Sequence, residues 1–278
     1  DDEIDTLEDF ALLDAGMQIA DFKNGSGHFL SSLRVHCGLP PEGCAAKGLP
    51  LVSKCEGSVA MPESNTVLEC AGIHHWFGPK RVLHDVNLKI SRGQIVAIVG
   101  PSGCGKSTLL RLMSGLEIPD KGTITLFGSE ISSPNKFLPP EKRKFGMVFQ
   151  DFALFPHMSV ASNIAYGVRG SRNDKRLRVS ELLNLVSLPH LADQMPHQLS
   201  GGEQQRVAVA RALIGNPEVI FADEPTSNLD RRSADELAAI FQDINGSGTT
   251  LVVSTHDTAL IEAASLVFTL SEGRLVAG

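Results

Sequence analysis

No stretch of this 278-residue chain is a continuous apolar run of the roughly 18 residues that a membrane-spanning helix needs, so no transmembrane helix is expected. A secretory leader is not legible either. The N-terminus is acidic, the opposite of the basic region that opens such a leader. There is no basic excess. Residues 1–65 hold 11 Asp/Glu and 4 Lys/Arg, a net of −7, and residues 66–278 hold 21 of each. The whole formal charge of −7 therefore sits in the first quarter, and nucleic acid, which needs a basic face, is not an expected partner. The five cysteines are Cys37, Cys44, Cys55, Cys70 and Cys104, an odd number without a disulfide framework, which favours a reducing setting. No internal repeat is present.

Residues 1–65 differ from the rest. Leu7, Phe10, Leu13, Met17 and Ala20 recur at helical spacing, and Thr6 with Asp9 suits a capping box. A helix over 6–22 is expected, stopped at Asn24-Gly25-Ser26-Gly27, as a candidate for docking a partner. From Gly38 to Glu63 the pattern is aperiodic, so a poorly ordered extension is expected. His36, Cys37, Cys44 and Cys55 are spaced more widely than usual zinc pairs, which makes a metal site there the weaker reading.

Regular alternation begins near Thr66. Val67–Cys70, Val82–Ile90 and Ile95–Val99 read as strands. Thr123–Phe127 reads as another, after a turn at Pro119–Gly122. Residues 151–213 read as mostly helical, with Val179, Leu182, Leu183 and Val186 on one face. Val219–Ala222 and Thr250–Val253 read as buried strands. Strands alternating with helices predict an α/β fold, with a parallel sheet covered on both faces and ligands at the carboxyl ends of its strands.

The most specific motif is Gly100-Pro101-Ser102-Gly103-Cys104-Gly105-Lys106-Ser107, followed by Thr108. It matches G-x-x-x-x-G-K-[ST], follows a buried strand and opens a helix. Unpaired N–H groups at a helix start converge on phosphate, and the helix dipole adds attraction. Lys106 would reach the β- and γ-phosphates, and Ser107 would offer a hydroxyl to Mg²⁺. Asp223-Glu224 ends the strand 219–222. One carboxylate there suits Mg²⁺, and the next suits activation of water. Leu199-Ser200-Gly201-Gly202-Glu203-Gln204 opens a second helix that can cradle phosphate. One chain does not need two such cradles for one γ-phosphate, so the second is expected to serve a nucleotide on another copy.

With these motifs in order, the stretch 66–278 resembles the nucleotide-binding domain of ABC transporters. Gly100–Ser107 looks like its Walker A, Val219–Glu224 its Walker B and Leu199–Gln204 its signature. Ser227–Asp230 looks like the D-loop, Gln150 the Q-loop glutamine and Thr255-His256-Asp257 the switch-histidine segment. Phe77 looks like the adenine-stacking aromatic, with Trp76 as the fallback.

The resemblance implies a P-loop NTPase fold with an antiparallel β subdomain and an inserted helical signature subdomain at about 151–213. It implies ATP and Mg²⁺, with Ser107, Gln150 and Asp223 at the metal, and Glu224, His256 and Lys106 in catalysis. Ser200, Gly201, Gly202 and Gln204 would act in trans, and Asp230 would couple the two sites.

Expected partners are a second copy and a membrane permease, with a substrate-binding protein as a further candidate. The expected location is peripheral, on the inner face of the cell membrane. The wording from Gln150 to Gly167 resembles importers of ferric iron, polyamines or sulfate, in which exposed Phe152 and Phe155 would be candidate permease contacts, with core packing of each as the alternative. Pro225–Asp230 is closer to lipoprotein-release ATPases, so an efflux-type system, or an ABC ATPase outside transport, stands as the alternative.

Overall fold

The computed structural model describes residues 65–168 and 170–277. The expected helix over 6–22 with its Thr6/Asp9 box, and the residues His36, Cys37, Cys44 and Cys55, lie outside them.

The described chain forms two sheets. Strands β1 (Thr66–Phe77), β2 (Lys80–Ser91), β4 (Lys121–Leu126), β5 (Ser129–Ser133) and β6 (Lys136–Phe137) form an antiparallel sheet in the order β2-β1-β4-β5-β6. Strands β3 (Ile95–Val99), β7 (Phe145–Val148), β8 (Val219–Asp223), β9 (Thr250–Ser254), β10 (Leu266–Ser271) and β11 (Arg274–Ala277) form the second. Its order is β11-β10-β3-β9-β8-β7, parallel except for β11.

The parallel strands are apolar at nearly every position because both faces are covered. Along β8, Val219 and Phe221 enter one cluster, and Ile220 and Ala222 enter the other. The first cluster fills the space between the sheets and holds α1 (Lys106–Ser114) through Leu109, Leu110, Leu112 and Met113. The second is covered by α2 (Val160–Ala165), α3 (Arg172–Leu185), α4 (Gly201–Leu213), α5 (Arg231–Gly246) and α6 (Thr258–Ala263). Val179, Leu182, Leu183 and Val186 all enter it, on one face as the periodicity requires.

Helix α1 is the element that matters most for the site, and both its ends are fixed. It begins after Gly105 and stops at Gly115, where a left-handed φ of 90° returns the N–H to Arg111 O. Arg143, fully buried, donates to the last carbonyls of α1: Nη1 to Met113 O at 3.1 Å and to Leu112 O at 3.5 Å. Burial pulls its pKa down to about 10, which leaves it charged at neutral pH and suited to the negative end of the helix dipole. A Cβ at position 115 would lie 2.3 Å from Arg143 Cζ, so glycine is required there for space as well as for φ.

Some elements differ from expectation. The strand read at 67–70 runs on to Phe77. Register shifts after Cys70 and Ile73 break the two-residue alternation, which hides the continuation in the sequence. Lys121 and Gly122, expected in a turn, open β4. Within 151–213 the helices cover only 160–165, 172–185 and 201–213, with turns and 3₁₀ segments between. Strands β5, β6, β7, β10 and β11 carry no clear signal of their own. They are short, and neighbours rather than local pattern set their burial.

Candidate functional site

Parallel pairing places the carboxyl ends of β3, β9, β8 and β7 side by side. Ile98 pairs with Ser254, Ser254 with Asp223, and Ala222 with Val148. Gly100–Ser107, Asp223-Glu224, Thr255-His256 and Gln150 thus leave the same edge of the sheet.

The phosphate loop is shaped by glycines with little alternative. A Cβ on Gly100 would lie 2.1 Å from Leu270 O, and one on Gly105 would lie 2.9 Å from Leu83 Cδ2. Gly105 caps α1 in the left-handed region with no side-chain bond, so the first-turn N–H groups of Lys106, Ser107 and Thr108 lack a capping acceptor. Pro101, Ser102, Gly103 and Ser107 are exposed. Cys104 supplies its backbone, with N–H to Pro101 O at 3.3 Å. The Cys70 thiol is buried in the core, and burial pushes it up to about 12, so it is inert.

Polar contacts link three of the four strand ends, those of β3, β8 and β9. Lys106 is 8% exposed, and its Nζ donates to Gly100 O at 2.8 Å and pairs with Glu224 Oε1 at 3.2 Å. Glu224 Oε2 meets His256 Nδ1 at 2.9 Å, while the His256 side chain is largely exposed. Ser107 Oγ donates to Asp223 Oδ1 at 3.0 Å, and Ser254 Oγ donates to the same oxygen at 2.6 Å. Ser254 Oγ and O also accept the Glu224 N–H, each at 3.0 Å. Glu224 adopts φ 45°, a strained left-handed state for a non-glycine. Ser254 therefore holds the Asp223 carboxylate and the Glu224 backbone. A polar residue ending a buried strand was the available signal for it.

Phe77 is half exposed beside the Gly78-Pro79 turn, edge-on to His75 with centroids 4.9 Å apart. The Trp76 ring is flanked by Arg81 at 5.0 Å and Lys121 at 5.7 Å. Phe77 is the freer of the two rings for stacking.

Ser200 caps α4. Its N–H and Oγ both donate to Glu203 Oε2 at 2.7 Å, and Glu203 N–H returns to Ser200 Oγ at 3.4 Å. These bonds hold the Glu203 carboxyl below its usual range. The S-x-x-E spacing is a capping box, and Glu203 is a residue that motif reading passed over. Gln204 Nε2 donates to Leu199 O at 3.2 Å, within its own turn. Gly201 faces Phe152 and Asn228, and a Cβ on Gly202 would lie 2.6 Å from Ser233 Oγ. Asp230 caps α5 by accepting from Ser233 N and Oγ, which keeps its carboxyl below the usual range. Gln150 offers its carbonyl to Asn228 Nδ2 at 3.1 Å. Among the described residues, no hydrogen bond or ion pair joins Ser200–Gly202 to Gly100–Ser107. Phe152 and Phe155, for which exposed contact and core packing both stood open, are partly buried, and Phe155 packs on Tyr166 with centroids 4.4 Å apart.

A phosphate loop between a parallel strand and a buried helix, with acid residues on the neighbouring strand ends, defines a P-loop NTPase fold. The ABC transporter family model matches residues 83–227, just over half the chain. The chain belongs to that family. It is 41% identical to the Fe(3+) ions import ATP-binding protein FbpC of Haemophilus influenzae over 198 residues, 70% of this chain and 56% of that protein. It is 45% identical to the sulfate/thiosulfate import ATP-binding protein CysA of Nephroselmis olivacea over 204 residues, 72% of this chain and 58% of that protein. The chain thus spans somewhat over half the length of these relatives. Among solved structures, the ATP-binding cassette MJ0796, a dimer in a post-hydrolysis state bound to ADP and Pi, matches with a TM-score of 0.68 and 32% identity, covering 75% of this chain and 96% of that one.

Proposed function

We propose that this chain binds and hydrolyses ATP as the cassette subunit of a transporter, two copies closing around two ATP to drive a separate membrane permease. The observation that carries this is the polar cluster at the ends of β3, β8 and β9, where Lys106 and His256 meet Glu224, Ser107 meets Asp223, and Ser254 joins the two groups.

Each ATP would meet Gly100–Thr108 with its phosphates and Phe77 with its adenine. Lys106 would exchange Glu224 for phosphate oxygens, freeing the carboxylate to orient and deprotonate water. His256, already touching Glu224, would hold the γ-phosphate side of that water. Ser200, Gly201, Gly202 and Gln204 of the other copy would close the site, and Asp230 would link the two sites. The γ-phosphate then joins both halves, and its loss opens them.

Mg²⁺ fits this set. Ser107 and Asp223 offer hard oxygen donors with Gln150 nearby in register, and Asp223 Oδ2 has no hydrogen-bond partner among the described residues. When bound, it neutralises charge on the β- and γ-phosphate oxygens.

The dimeric neighbour supports the two-copy clamp, and the import names of the curated relatives support solute import, ferric iron or another small solute being the candidate cargo. No helix among the described residues is long and apolar enough to cross a membrane. Attachment to the inner face of the membrane would come through the permease, with a substrate-binding protein as a further partner.

The clamp is tested by measuring the mass of the purified chain with and without ATP. A monomer at saturating ATP sinks it. Transport is tested by identifying what co-purifies from solubilised membranes. Recovery of ribosomes or DNA in place of an integral membrane protein overturns the transport reading.

A further inference from the structure

The turn after Gln150 is held in a conformation its residues disfavour. Phe152 and Ala153 are consecutive non-glycine residues with φ of 64° and 47°. There each Cβ crowds the backbone, and each state is disfavoured by roughly 5- to 150-fold. Something must over-determine this turn.

Both strained residues direct their carbonyls at one guanidinium. Arg211 Nη1 donates to Ala153 O at 2.6 Å and Nη2 donates to Phe152 O at 3.3 Å. Arg211 is 4% exposed, and its Cζ lies 5.9 Å from the centre of the Phe155 ring. A rigid planar fork suits two adjacent acceptors, which a single ammonium cannot match. Arg211 belongs to the last turn of α4, the helix whose first turn carries Ser200–Gly202. At the other end of the turn, Asn228 Nδ2 holds Gln150 O. Gln150 is therefore fixed from both sides.

We propose that Arg211 is a positioning residue. By stabilising the left-handed turn at 152–153, it holds Gln150 at the Mg²⁺·ATP site and makes α4 and Gln150 move as one unit. This rests on the reading that Gln150 serves that site. An apolar residue at 211 leaves two carbonyls unpaired and lets the turn relax, carrying Gln150 away. Glycine at 153 adopts positive φ without the Cβ penalty, so it lessens the need for the guanidinium.

The test is the Mg²⁺ dependence of ATP turnover in the full chain, for wild type, Arg211→Met, Arg211→Lys, Ala153→Gly, Arg211→Met/Ala153→Gly and Gln150→Ala. Arg211→Met is expected to raise the half-saturating Mg²⁺ concentration about tenfold, towards the Gln150→Ala value, with a smaller rise for Lys. Adding Ala153→Gly should bring it back to within about twofold. A purely structural role for Arg211 predicts less folded protein, unchanged Mg²⁺ dependence and no rescue by glycine. Either an unshifted Arg211 variant beside a shifted Gln150→Ala, or failure of the glycine rescue, overturns the proposal. If Arg211→Met does not fold, Arg211→Lys with and without Ala153→Gly carries the same comparison. A Gln150→Ala protein with wild-type Mg²⁺ dependence refutes the parent reading, and this proposal with it.

Discussion

Replacing Glu224 by Gln removes one charge and almost no volume, at a position where the proposed function gives the charge two tasks. The first is chemical. As the carboxylate that would take a proton from water, Glu224 should contribute about 10²–10⁴-fold to turnover, roughly 3–5 kcal/mol of barrier. The second is structural. Its Oε1 lies 3.2 Å from Lys106 Nζ, and both side chains are largely buried, at 9% and 13% exposure. Breaking a buried pair typically costs about 3–5 kcal/mol. Here the cost should be smaller, about 1–3 kcal/mol, because Lys106 keeps Gly100 O at 2.8 Å and the amide oxygen of Gln can still accept.

ATP reverses the balance, since phosphate oxygens replace the lost partner of Lys106. The variant should therefore unfold at lower temperature without nucleotide, gain more from ATP than wild type does, and accumulate as a closed dimer. Phosphate release, thermal unfolding with and without ATP, and size-exclusion chromatography check the three parts. Turnover within about fivefold of wild type would refute Glu224 as the base. An equal ATP-induced shift in Tm would refute the claim that Glu224 competes with phosphate for Lys106.

Lys106→Ala should weaken ATP binding at least about 100-fold in equilibrium titration, because it removes the buried cation among the loop carbonyls. Gly202→Ala should impair folding or dimer closure, since its Cβ would lie 2.6 Å from Ser233 Oγ, and a second change of Ser233→Gly should restore thermal stability in part. Ser200→Ala should cost about 1 kcal/mol in denaturant unfolding at neutral pH by removing the α4 cap. The Glu203 half of that cap is pH-dependent. Its carboxyl is depressed in the folded state, so its contribution is full above the ordinary carboxylate pKa and is lost as pH falls through the depressed value. Glu203→Ala should therefore destabilise at pH 7, and its difference from wild type should shrink as pH falls below the ordinary carboxylate range.

What could be read from the chain was what local chemistry dictates. Gly100–Ser107 announces itself because only that spacing leaves a glycine turn, a lysine and a hydroxyl at one helix start. The apolar runs 95–99, 219–222 and 250–253 announce strands buried on both faces. The long first strand stayed hidden because its bulges erase alternation, and β7 and β11 because edge position is a property of the sheet rather than the segment. Ser254 and Arg211 look ordinary in sequence. Their contacts arise from pairing and packing across 31 and 59 residues of chain.

The sequence by itself determined which chemical groups are present and where α1, α4 and the buried strands β3, β8 and β9 can start, because caps, glycine turns and apolar periodicity act over a few residues. Only the tertiary structure decided which groups meet. The parallel register brings Lys106, Glu224 and His256 within hydrogen-bond reach, and it leaves Ser200–Gly202 against Phe152, Asn228 and Ser233. That follows from sheet order and helix packing, which depend on burying two apolar faces at once and which no local window contains.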